Sequence, residues 1–157
     1  MNEQITVSGA TLPTGTEPSV QPTQCLNRAA QFTGEPGSIA SARDLAVRFL
    51  QQLGAEWLAP LDERTRQDVL LVVSELVTNA ERHSHGPYVI ELEGTARYAS
   101  VTVYDSSTTL PRFFPPDPAR LGGHGMEIVR AVSDAVTAEL VPVGKRVTAR
   151  FDLPRGA

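Results

Sequence analysis

The segment from Asp62 to His85 constrains the fold of this chain more than any other. Val69, Leu70, Val73, Leu76, Val77 and Ala80 recur there at spacings of three and four. On a helix turning about 100° per residue, those positions make one broad apolar face that has to be covered. Glu75 and Asn79 fall one turn apart on the opposite side, with His83 a turn further on and Arg82 beside them. Leu71 and Val72 share that polar side. A face meant only for water has no use for two aliphatic residues, so this side is expected to meet a ligand or a loop. On periodicity alone, a surface helix with an ordinary mixed polar face is the favoured reading.

The remaining elements follow from periodicity and punctuation. Residues from Cys25 to Phe32 alternate weakly and stop at Gly34 and Pro36, as an edge strand does. Ser38 opens a helix carrying Ile39, Ala42, Leu45, Ala46, Phe49, Leu50 and Leu53, with Gly54 expected to stop it. Asp62 is placed to cap the helix that follows, which is expected to end near His85-Gly86-Pro87. Strands are predicted at Tyr88–Glu93 and Tyr98–Tyr104, the second ending at Asp105-Ser106-Ser107. A proline- and glycine-rich stretch over 106–125 leads into a third helix, Gly125 to Ser133. Strands over 135–141 and 145–153 close the chain, joined at Pro142-Val143-Gly144. The order β-α-α-β-β-loop-α-β-β predicts an α+β two-layer sandwich, a mostly antiparallel sheet with helices on one face.

Residues 1–24 hold Pro13, Pro18 and Pro22 among Thr, Ser, Gly and Gln with no apolar period, and are expected to form a disordered tail before one domain over 25–157. The whole chain is 157 residues, long enough to bury a core without cross-links, and its single cysteine, Cys25, cannot form an internal disulfide. Fourteen Lys and Arg against 18 Asp and Glu give a net charge of −4, which argues against a sequence-blind grip on nucleic acid. No apolar run reaches the roughly 18 residues of a membrane span, and the first residues lack a secretory pattern. A cytoplasmic protein without membrane association is the expectation.

Three features could carry chemistry. The first is the Glu75/Asn79 pair. The second is Leu121-Gly122-Gly123-His124-Gly125-Met126, glycines running straight into a helix, where free N–H groups suit phosphate. It closes with no Gly-Lys-Ser/Thr and so is not a Walker loop, and an ordinary loop–helix junction has the same form. The third is Asp105 at a strand end, able to accept from a base amino group or to bond its own backbone in a turn. His83 and His85, at i,i+2, point apart and are not expected to pair on a metal.

Taken in order, these motifs resemble a known family. Ser74-Glu75-Leu76-Val77-Thr78-Asn79-Ala80-Glu81-Arg82-His83 looks like the Asn box of the Bergerat-fold, histidine-kinase-like ATP-binding proteins. The strand-ending Asp105 is similar to their adenine-reading aspartate, and Gly123-His124-Gly125-Met126 to the glycine motif beside their phosphate lid. With Gly144-Lys145 near the end, the pattern resembles the stand-alone anti-sigma-factor serine/threonine kinases over residues 25–153.

The resemblance implies roles. Asn79 would coordinate Mg²⁺ on the phosphates of ATP, and Glu75 would be the general base. Asp105 would accept from adenine, and Gly123, His124, Gly125 and Met126 would offer N–H groups to phosphate. Arg82 would lie near phosphate and Thr148 near the adenine side, with Arg112 or Arg120 in the lid. Ser107 departs from the pattern, standing where the family has a glycine next to the base. The implied partners are a sigma factor and the anti-sigma-factor antagonist that accepts the phosphate, with homodimer pairing through the first strand. An ATP-binding partner-switch module without phosphotransfer is the alternative. A sensor histidine kinase is disfavoured, because no dimerising helix precedes the domain.

Overall fold

The computed structural model describes residues 24–111 and 124–155. The expected tail up to residue 23, Gly123 and the lid positions Arg112 and Arg120 lie outside the described residues. Eight elements follow one another: β1 (Leu26–Phe32), α1 (Ser38–Glu56), α2 (Glu63–His83), β2 (Tyr88–Gly94), β3 (Tyr98–Asp105), α3 (Gly125–Val132), β4 (Ala135–Val141) and β5 (Gly144–Asp152). The five strands form one sheet in the order β1-β2-β3-β5-β4, with every neighbouring pair antiparallel. The architecture is the α+β sandwich read from the sequence. No helix among the described residues is long and apolar enough to cross a membrane.

Alternation decides which face of the sheet is covered. Ile90 and Leu92 of β2, Val101 and Val103 of β3, and Val147, Ala149 and Phe151 of β5 share one face and are buried. Phe49, Leu50 and Leu53 of α1 and Val69, Val73, Leu76 and Val77 of α2 close over them in a single cluster. Each fully buried side chain of this size contributes about 1.5–3 kcal/mol by leaving water. At the start of α2, Asp62 Oδ1 accepts the Thr65 N–H at 2.8 Å. Those bonds from Thr65 hold the Asp62 carboxyl below its ordinary value.

Two expectations are corrected. Gly54 does not end α1, which continues to Glu56. A Cβ at residue 54 would stand 3.2 Å from Arg66 Nη2, the tip of a flexible side chain on α2. Val72 is not on a polar side: it is fully buried, and Glu75 and Asn79 flank the apolar stripe, half-buried. Asn79 is about 60° around the axis from Leu76, and the stripe is wide enough to include Val72 because α3 packs on that flank. In the sheet, β5 inserts between β3 and β4. The chain returns to β3 only after the outer strand is made.

Candidate functional site

The pocket-facing flank of α2, the start of α3 and the start of β5 meet around a cavity of about 530 Å³. Glu75 and Asn79 reach one wall together because i and i+4 lie on the same side of a helix, and Arg82 is close by. His124, Gly125 and Met126 bring the start of α3 to the facing wall. Six of the residues singled out in the sequence are thus gathered at one place.

Glycine at 125 leaves room for the Glu75 carboxylate beside the start of α3. A Cβ there would stand 2.5 Å from Glu75 Oε2, far inside contact distance. The first N–H groups of a helix have no intrahelical partner and favour negative charge. Here that end of α3 faces both the Glu75 carboxylate and the cavity, a setting suited to a phosphate.

Asp105 stands one layer behind the cavity wall, only 4% exposed. Its Oδ1 accepts the Ser107 N–H at 2.8 Å, the turn-forming bond open to a strand-ending aspartate. Its Oδ2 lies 3.5 Å from the ammonium of Lys145, itself 1% exposed. Lys145 Nζ also donates to the Thr109 carbonyl at 3.1 Å and to Asn79 Oδ1 at 3.4 Å. The residue that separates Asp105 from the cavity is therefore a lysine. Gly144 makes this possible. Its φ of +145° lies in the region that favours glycine, and a Cβ would stand 2.1 Å from the Asp105 carbonyl oxygen.

The exit of α2 is tied to the exit of β3. Ser84 Oγ, just past the helix, bonds Ser106 Oγ at 2.8 Å. Tyr88, at the start of β2, donates its hydroxyl to Glu81 Oε1 at 2.9 Å. Burial first, and then the bond to Glu81, push the Tyr88 phenol above its ordinary value, so it remains a donor.

The structure does not bring Thr148 to this cavity. It pairs with Thr102 across β3 and β5, their hydroxyls 2.9 Å apart, while its neighbours Val147 and Ala149 face the core. With side chains alternating along a strand, Thr148 points to the helix-free face. The position that does reach the site from β5 is Lys145, directly opposite Asp105 in the register. Gly144-Lys145 was part of the sequence pattern, but no role attached to it. The parity shared with Val147 would have pointed Lys145 inward, had the β3–β5 pairing been known. Among the described residues, no cluster of three or more His, Cys, Asp or Glu is placed to hold a metal.

Residues 32–151, about three quarters of the chain, match the family model of the histidine kinase-like ATPase domain. No curated protein matches the chain. The matched span takes in all three helices and every residue placed at the cavity. This chain belongs to the histidine kinase-like ATPase domain family, an ATP-binding fold.

Proposed function

We propose that this chain binds ATP with Mg²⁺ in the cavity between α2 and α3 and transfers the γ-phosphate to a serine or threonine of an anti-sigma-factor antagonist. The same molecule would bind and silence a sigma factor, so that phosphorylation of the antagonist decides which partner is held. The observation that carries this reading is the convergence of Glu75, Asn79 and the start of α3 on one cavity.

Phosphoryl transfer asks a protein mainly for positioning and for stabilisation of spread negative charge. Arg82 and the first N–H groups of α3 supply positive potential at the cavity wall. On this reading Glu75, which lines the cavity, takes the proton of the attacking hydroxyl on a carboxylate oxygen. That hydroxyl oxygen bonds to the γ-phosphorus as the bond to the β-phosphate oxygen breaks and ADP leaves. Asn79 offers an amide oxygen, the hard donor that Mg²⁺ takes alongside phosphate and water, so the donor chemistry fits the metal. Mg²⁺, when bound, neutralises charge on the phosphates. On this reading Asp105 is the buried acceptor for a base amino group, which would take the place of the Lys145 ammonium that the carboxylate now faces, and a base without that donor has nothing to offer it.

A second reading, a partner-switch module that binds ATP and its partners without transfer, draws on the engagement of both Asn79 and Asp105 by Lys145. Single-turnover incubation with labelled ATP, Mg²⁺ and candidate antagonists separates the two. Labelled antagonist supports the kinase, whereas ATP binding without transfer to the true antagonist supports the module. Tighter binding of ATP than of GTP is expected under both readings, and equal affinities would remove Asp105 from the base site.

A further inference from the structure

Among the described residues Lys145 is the one cation counted as fully buried. An ammonium has three N–H groups, and three acceptors surround this one: Asp105 Oδ2 at 3.5 Å, Asn79 Oδ1 at 3.4 Å and the Thr109 carbonyl at 3.1 Å. The charge is compensated by Asp105 and the donors are satisfied, so the lysine is stably seated despite its burial. Two of its three acceptors are the groups that the ATP reading assigns to the metal and to the base.

A divalent cation bonded to Asn79 Oδ1 would sit about 2.0–2.1 Å from that oxygen. The Lys145 ammonium, 3.4 Å from the same oxygen, would then lie no more than about 5.5 Å from the metal. Charges of +2 and +1 at that separation repel, the more so because the lysine is buried. The amide oxygen therefore does not hold both cations without cost. Lys145 is long enough to reach Asn79 only because Gly144 lets β5 pass against the end of β3.

We propose that Lys145 is a specificity-determining residue of the nucleotide site, competing with the divalent cation for Asn79 Oδ1 and so setting how strongly nucleotide binding depends on Mg²⁺. The proposal rests on the ATP-binding reading and goes beyond it. With Lys145 seated, the metal gains little from Asn79, and nucleotide affinity responds weakly to Mg²⁺. Arg82 and the start of α3, on the same cavity, are left to face the phosphates.

The test is ATP binding by calorimetry in excess Mg²⁺ and in EDTA, read as the ratio of the two dissociation constants. In the wild-type chain the ratio is expected to stay within about threefold, and in Lys145→Met to rise by roughly tenfold or more, since a methionine leaves Asn79 Oδ1 to the metal. Lys145→Arg keeps a cation and should resemble wild type. Removing the lysine alone leaves Asp105 buried without its partner, so Lys145→Met with Asp105→Asn is measured as well. The ratio cancels any loss of base recognition common to both conditions, and the same rise is expected. A ratio unchanged in both methionine variants overturns the proposal, and so does a strongly Mg²⁺-dependent wild type. ATP binding with an unchanged ratio removes only the role of Lys145. Failure of the wild-type chain to bind ATP in either condition removes the ATP reading itself, and the proposal with it.

Discussion

The two flanks of α2 follow different rules. On the sheet side, Val69, Val73, Leu76, Val77 and Ala80 are at most 1% exposed and belong to the apolar core cluster. On the cavity side, Glu75 and Asn79 are half-buried polar groups whose surroundings come from far along the chain. Gly125 leaves room for the carboxylate, and Lys145 donates to the amide. The first flank is explained by removal of area from water, which any aliphatic side chain of suitable volume provides. The second is explained only by particular atoms at particular distances. Such specificity is expected where a site is built and is not required where a helix is merely held in place.

Glu75 and Leu76 are adjacent in the chain and set the two flanks against each other. Glu75→Ala is expected to lower phosphotransfer by about 10²–10⁴-fold, the usual loss on removing a general base. ATP affinity and melting temperature should stay near wild type, because the carboxylate acts on the nucleophile and carries no core packing. Single-turnover transfer beside an ATP titration checks this, and unchanged transfer would return Glu75 to the role of a surface residue. Leu76→Ala should do the reverse, costing about 2–5 kcal/mol in a urea titration as the cavity left behind fills only partly. The folded fraction should bind ATP as before.

Gly125→Ala probes the contact between the flanks of two helices. Its methyl would meet Glu75 Oε2 at 2.5 Å, so α3 or the carboxylate must move. Because the atom in the way is the tip of a flexible side chain, the cost in stability should be small, while the displaced carboxylate should weaken ATP binding by roughly tenfold. The double variant Gly125→Ala with Glu75→Ala makes room for the methyl and should recover most of that affinity. If it does not, the glycine serves the nucleotide directly rather than Glu75.

The smallest effect is expected at the N-terminus of α2. Bonds from Thr65 hold the Asp62 carboxyl below its ordinary value near 3.8, so the folded chain binds fewer protons there than the unfolded one. The stabilisation is full above that ordinary value and is lost as pH falls through the lowered folded value. Asp62→Ala should therefore reduce the melting temperature modestly at neutral pH, and the difference from wild type should close in acid. Transfer and ATP affinity should not change, which would show that the stability of α2 and the function of its cavity flank are separable.

The sheet flank of α2 was legible in the sequence because burial on a helix leaves a local period. Val72 was misplaced for the same reason: nothing near it in the chain reveals that α3 packs on that flank. Asp105 was legible as a strand end, and its turn bond to Ser107 is a local interaction that the residue type itself favours. Thr148 was misassigned because facing parity on β5 depends on what β5 pairs with. Once β5 lies between β3 and β4, Thr148 and Thr102 face away from the helices and Lys145 faces the site.

By itself the sequence determined the number, type and approximate limits of the elements, the turn at Pro142-Val143, and the presence of an Asn box followed by a glycine-led helix. These are set by hydrophobic period, capping and backbone conformational preference, which act over a few residues. The tertiary structure alone decided that β5 separates β3 from β4, that α3 begins against Glu75, and that Lys145 bridges Asp105, Asn79 and Thr109. Asn79 and Lys145 are 66 residues apart in the chain, and a contact across that separation leaves no period in either segment. It exists because antiparallel pairing of β3 with β5 and the packing of α2 on the sheet bring both side chains to the same end of the fold.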